Sequence, residues 1–134
     1  MFKTDYKVSI NDINYGGHMG NQVPLVLFQQ VRLEFLNKEG LSELNIGDGV
    51  GTIQRESWIK YNKEVFFNEK LTLELADIEI DKLTLVIKYN IYKESGENAV
   101  EGTTTMLGYD YGKKRVAKIP DSFKAVVERY KGKN

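Results

Sequence analysis

The segment Val23-Pro24-Leu25-Val26-Leu27-Phe28 constrains this chain more than any other, because it contains no polar residue. It opens a stretch, about Gln22 to Lys38, that reads as a helix. Asn21 is a suitable N-cap, Pro24 fits a first turn where no N–H is needed, and Gly40 is a natural stop. A helix that is apolar on every side through its first half has to be enclosed by other parts of the chain. The remaining sequence can supply the enclosure. Residues 2–10 read as a first strand, and residues 52–66, 69–80, 82–93 and 98–110 as four more in near-continuous succession. Strands of about ten residues span roughly 33 Å, and the helix spans roughly 25 Å. A long curved antiparallel sheet could therefore envelop the helix completely, an α+β architecture.

Details of the pattern sharpen this expectation. Phe2, Thr4, Tyr6, Val8 and Ile10 share one face of the first strand, and Leu83, Leu85, Ile87, Tyr89 and Ile91 share one face of a later one. Leu71, Leu73 and Leu75 are out of phase with Ala76, Ile78 and Ile80, which calls for a bulge near Leu75–Asp77. Short breaks at Asn68-Glu69, Asp81-Lys82, Glu94 to Glu97 and Asp110 to Gly112 look like hairpin turns joining a four-strand meander. Gly102 and Gly108 mark bends or close packing. A terminal helix runs from Asp121 to Tyr130, with Phe123, Val126, Val127 and Tyr130 on one face.

Composition narrows the function. The 134 residues fit one domain spanning 1–134, and the 41% apolar content is enough for a core. Nineteen basic residues balance nineteen acidic ones, so no charge excess draws the chain to nucleic acid or anionic lipid. The absence of cysteine excludes disulfides and thiolate chemistry, and a single histidine excludes multi-histidine metal sites, so no metal is expected. No apolar run has the length of a membrane span, and Met1 to Lys7 is not an apolar signal core, so a cytoplasmic location is expected.

Just ahead of the helix lies Asp12-Ile13-Asn14-Tyr15-Gly16-Gly17-His18-Met19-Gly20-Asn21. It resembles the D-x-D-x-x-G-H-V-N-N pattern of hot-dog acyl thioesterases, the 4-hydroxybenzoyl-CoA thioesterase-like superfamily. Gln30 to Leu36 looks like that family's E-x-A-R-x-x-F-L helix segment, Tyr61-Asn62-Lys63-Glu64 like its Y-x-x-E strand segment, and Ile119 to Phe123 like its I-P-x-x-F ending. The resemblance covers nearly the whole chain. It implies a hot-dog fold, with a long sheet wrapped around a central helix. It also implies hydrolysis of acyl-CoA or acyl-carrier-protein thioesters, with CoA or phosphopantetheine entering as part of the substrate and no separate cofactor. It implies a homodimer, or a tetramer of two dimers, with sites shared between subunits. There are departures. Asn14 stands where the family's usual catalytic carboxylate falls. Of the plant acyl-carrier-protein enzymes' D-x-N-x-H triplet, only His18 is kept, and their cysteine after the strand glutamate maps onto Val65.

Thioester hydrolysis needs donors for a developing oxyanion, a group to activate water and room for the acyl chain. The start of a helix offers free N–H groups and a positive dipole end, and glycines let a carbonyl approach the backbone. Gly17, Gly20 and Asn21 are therefore the candidate oxyanion and substrate-binding residues. His18 can accept a proton or hydrogen-bond a carbonyl. Asn14 cannot act as a base, but its amide can hold water. Glu64, supplied by a neighbouring subunit, is the candidate base, so Asn14, His18 and Glu64 form the candidate catalytic set. Glu34 is a further carboxylate candidate. Arg32 falls on the helix's apolar stripe and reads as structural, with Asp12 or Glu34 as its partner. Trp58 and Tyr61 read as core or interface residues, and the acyl slot is expected between helix and sheet at a subunit boundary. Two other readings remain: a catalytically silent acyl-thioester binder, and a hot-dog dehydratase or hydratase.

Overall fold

A computed structural model describes residues 1–132 of the chain. The strands are β1 (Phe2–Lys7), β2 (Gly51–Tyr61), β3 (Lys70–Ile80), β4 (Thr84–Lys93), β5 (Asn98–Asp110) and β6 (Arg115–Val116); the helices are α1 (Val23–Lys38) and α2 (Asp121–Lys131). A single 3-10 turn, Ile10–Asp12, follows β1. All strands pair antiparallel in one sheet ordered β1-β3-β4-β5-β2, with β6 added to the end of β5.

This order corrects the four-strand meander. Only β3, β4 and β5 follow one another as hairpins; β2 pairs with β5 and lies at the edge opposite β1. The supposed turn at Asn68-Glu69 is instead part of a crossing segment. β2 ends at Tyr61 because the N–H groups of both Asn62 and Lys63 turn to one carbonyl, that of Ala99. The chain then passes beneath the loop before α1 and reaches β1, where Asn68 N–H donates to Val8 and Val8 N–H to Glu69.

Side-chain alternation sets the two faces of the sheet. Leu85, Ile87, Tyr89 and Ile91 of β4 are buried, while Val86 and Lys88 are exposed. In β3 the register shifts between Leu75 and Asp77, so Leu71, Leu73, Leu75 and Ile78 all reach the core, as the phase change required. α1 lies across this apolar face and buries Val23, Leu27, Phe28, Val31, Phe35 and Leu36. Each such side chain removed from water is worth about 1.5–3 kcal/mol. Phe28 stacks on Tyr89 with ring centroids 4.4 Å apart. Gly102 is the cross-strand neighbour of Tyr89, and a Cβ there would sit 2.7 Å from the Phe28 ring and 2.5 Å from the Trp58 carbonyl. The glycine makes room for the helix.

Enclosure within one chain is incomplete. Val26 is 59% exposed, and Gln29 and Gln30 share the open side. The sheet covers α1 from one side, and the expectation of complete wrapping by a single copy fails there. The N-cap also differs. It is Gln22 in helical geometry, and no side chain caps the helix, so Asn21 lies one residue further out. α2 packs Phe123, Val127 and Tyr130 against the end of α1, where Tyr130 meets Phe35 edge-on at 4.9 Å.

Arg32 is buried, as its stripe position demanded, but its partners differ from those expected. Nε donates to Glu43 at 2.6 Å and Nη1 to the Tyr89 hydroxyl at 2.9 Å; that hydroxyl also lies 2.7 Å from Thr104 Oγ1. Burial opposes the guanidinium charge, but Tyr89 and Glu43 outweigh it and hold the Arg32 pKa above its ordinary value. Asp12 and Glu34 are engaged elsewhere.

Candidate active site

The loop from Ile13 to Asn21 is a compact turn closed by its own backbone. Ile13 and Met19 form an isolated antiparallel bridge, Asn14 N–H donates to His18 at 2.9 Å, and Gly17 N–H donates to Asn14 at 3.1 Å. Gly17 has φ +85°, a conformation that glycine adopts without a Cβ penalty. Asp12 braces the loop from below: its carboxylate accepts from the Tyr6 hydroxyl at 2.6 Å and Ser9 N–H at 2.9 Å, and its carbonyl accepts from Gly20 N–H at 2.9 Å. Burial, then the hydrogen bond to Asp12, pushes the Tyr6 pKa up to about 12.

The crossing segment after β2 lies alongside this loop. Met19 N–H donates to the Val65 carbonyl at 2.7 Å, and the Tyr61 hydroxyl donates to the Asn21 carbonyl. Between them opens a cleft of about 230 Å³ bordered by His18, Gly20, Asn21, Tyr61, Asn62 and Glu64. Residues more than forty positions apart thus meet because β2 ends where it does. Val65 anchors the segment in the core and leaves Glu64 exposed. The Glu64 carbonyl is held by Lys93 Nζ at 2.8 Å.

The candidate residues separate into groups. His18, Gly20, Asn21 and Glu64 border one cleft; Asn14 and Gly17 do not. Glu64 of the same chain is thus among the residues that border the cleft with His18. Asn14 uses its side-chain oxygen to accept from Gly16 N–H at 2.8 Å, an Asx turn that shapes the loop. It stays close to the histidine: Asn14 Oδ1 and His18 Nε2 lie 3.3 and 3.5 Å from where a Cβ on Gly16 would stand. His18 Nδ1 is 3.4 Å from the Met19 carbonyl. A proton on Nδ1 suits that contact and leaves Nε2 as an acceptor. Gly20 N–H is committed to Asp12, so it is not available to an oxyanion in this arrangement; the N–H of Asn21 has no partner among the described residues.

Glu34 is remote from the cleft, accepting from Thr4 at 2.8 Å and Gln30 at 2.8 Å. Tyr61, read from sequence as core or interface, also forms a wall of the cleft, and Asn62 was not singled out at all. Their adjacency to Glu64 in the Y-x-x-E segment was the available signal. The interior between α1 and the sheet is filled, with about 10 Å³ of free space beside Arg32, Phe35 and Ile87, so a single chain has no acyl slot there. Among the described residues no three His, Asp or Glu side chains are grouped to hold a metal ion. No helix among them is long and apolar enough to cross a membrane.

Known structures share this architecture. A hypothetical protein from Staphylococcus aureus, solved in complex with CoA, matches with a TM-score of 0.85 at 23% identity, over 96% of this chain and 82% of the other. A 1,4-dihydroxy-2-naphthoyl-CoA thioesterase from Synechocystis matches with a TM-score of 0.84 at 18% identity, over 94% of each chain. A DHNA-CoA thioesterase from Staphylococcus aureus matches with a TM-score of 0.82 at 21% identity, over 98% of this chain and 89% of the other. At these identities the likeness establishes the fold, which is the expected hot-dog arrangement. No curated protein matches the chain. The family model described as the thioesterase-like superfamily matches residues 8–127, and the chain belongs to that superfamily.

Proposed function

We propose that this protein hydrolyses acyl-CoA or acyl-carrier-protein thioesters. The observation that carries the reading is one cleft at the amino end of α1, bordered by His18, Asn21 and Glu64 together. Family membership and the CoA thioesters named for two of the similar structures support it.

In this reading the substrate carbonyl lies at the start of α1. The Asn21 N–H and the helix dipole stabilise the oxygen as it becomes negative. Glu64 takes a proton from water as the water oxygen attacks the carbonyl carbon. His18 Nε2 orients that water, and Asn14 shapes the loop that holds His18. The tetrahedral intermediate collapses with cleavage of the C–S bond, and the thiolate leaves and is protonated.

The acyl group requires a second copy. β2 is an edge strand with eight of its eleven residues exposed, Trp58 and Tyr61 among them. Joining two β2 edges would extend the sheet, hide unpaired backbone groups and bring cover to Val26. A slot between copies would then replace the one that the filled interior of a single chain lacks. Sedimentation should show a dimer, or a tetramer built from two.

A silent acyl-thioester binder is the second reading, favoured by Asn14, whose amide cannot act as a base and whose oxygen is committed to Gly16. Thiol release from acetyl-, hexanoyl-, palmitoyl- and aryl-CoA separates the two. Turnover with any donor supports the hydrolase; ligand binding without release from all four supports the binder.

A further inference from the structure

We infer that Lys93, the last residue of β4, is a positioning residue for Glu64: its ammonium clamps the crossing segment in the place from which Glu64 acts. Glu64 follows the end of β2 and lies outside every strand, so no sheet ladder fixes it. Its one hydrogen bond among the described residues is the one its carbonyl accepts from Lys93 Nζ at 2.8 Å. The same ammonium stands 3.2 Å from a Glu69 carboxylate oxygen and 5.7 Å from the centre of the Phe66 ring. The other Glu69 oxygen accepts from Phe66 N–H at 3.0 Å, and Glu69 N–H donates to the Phe66 carbonyl at 3.3 Å. One charge therefore ties both ends of the stretch from Glu64 to Glu69. It does so from a strand held in register against β3, where Lys93 stands opposite Leu71.

The Lys93 side chain is 19% exposed, whereas that of Lys63, the neighbour of Glu64 in sequence, is 55% exposed. Lys93 does not border the cleft shared by His18 and Glu64, so it acts through Glu64 and not on the substrate. The clamp also reaches the loop before α1, because the Val65 carbonyl, next to the clamped Glu64, accepts from Met19 N–H. A hydrogen bond from a charged donor is stronger than a neutral one. Displacing a reacting group by about 1 Å can cost on the order of 100-fold in rate, while an ion pair near the surface adds little to stability. Loss of Lys93 is therefore felt in kcat more than in folding. The inference rests on the hydrolase reading for what Glu64 does, while the clamp itself rests on the distances.

Two variants test it. Lys93→Met keeps an unbranched stem and removes the charge, and Lys93→Arg keeps a charged donor. With the best acyl-CoA substrate, Lys93→Met should lower kcat about tenfold or more with KM unchanged, and Lys93→Arg should recover most of that loss. The unfolding temperature of Lys93→Met should fall by no more than about 5 °C. A second readout needs no substrate. The Met19 and Phe66 amides, bonded to Val65 and Glu69, should exchange with solvent about tenfold faster in Lys93→Met, while amides of the β3–β4 ladder keep their native rates. Native kcat in Lys93→Met, or a loss that falls on KM alone, would overturn the positioning role, as would native exchange at Met19 and Phe66. If the native chain releases no thiol from any donor, the hydrolase reading falls and exchange alone decides the clamp: faster exchange upholds it, and native exchange overturns it.

Discussion

The Met19 N–H donates to the Val65 carbonyl at 2.7 Å, and this bond joins the loop before α1 to the segment after β2. His18 and Glu64 of one chain border the cleft formed where these two segments meet. The relationship depends on β2 ending early. Two N–H groups converge on Ala99, the backbone leaves the sheet, and the crossing segment becomes available to the loop.

Glu43 should matter more for stability than its position in a connecting segment suggests. It is the carboxylate partner of buried Arg32, whose side chain is 7% exposed against 25% for Glu43. Glu43→Ala would strand the guanidinium, and denaturant titration should show a loss of about 3 kcal/mol. Replacing both residues with apolar ones, as in Arg32→Met with Glu43→Leu, should recover part of that loss, because no charge is then left buried.

Gly102→Ala tests the fit between helix and sheet. The added Cβ would meet the Trp58 carbonyl at 2.5 Å and the Phe28 ring at 2.7 Å, and one of those obstacles is backbone. Overpacking of this kind costs about 1–3 kcal/mol, read as a lower urea midpoint. Gly96→Ala meets nothing within 4 Å, but its φ of +92° would strain an alanine. It should cost about 1 kcal/mol, through strain alone.

Tyr6 gives a pH signature. Burial and the Asp12 hydrogen bond raise its pKa from 10.0 to about 12, so folding favours the neutral phenol. That contribution is complete below pH 10, the unfolded value, and is lost as pH rises through about 12. Burial also raises the Tyr89, Tyr92 and Tyr130 phenols, so ultraviolet titration should show tyrosine ionisation drawn out above pH 10, and Tyr6→Phe should remove one phenol from that late phase together with its share of the alkaline loss of stability.

The sequence made most of the fold legible through periodicity. The Leu75–Asp77 bulge, the interior of α1 and the close packing at Gly102 all follow from which residues are apolar and where glycine stands. Strand order was not legible, because adjacent segments suggest hairpins, and only the backbone shows Asn62 and Lys63 turning together to Ala99. Two-residue β6 carries too little pattern to be seen. The loop was legible as a candidate site through its glycines, histidine and the family pattern. The commitment of its amides was not: Gly20 donating to Asp12 and Asn14 accepting from Gly16 are matters of backbone direction. The partner of Arg32 was missed for a related reason, since Glu43 lies in irregular chain beyond the helix.

The central claim is that Glu64 and His18 of one chain activate water at the start of α1. Steady-state thiol release from the best acyl-CoA substrate, compared for the native chain, Glu64→Gln and His18→Ala, tests it most directly. The account predicts that Glu64→Gln lowers kcat by about 100-fold or more with little change in KM, and that His18→Ala lowers kcat as well, with both variants folded by circular dichroism. Native turnover by folded Glu64→Gln would contradict it.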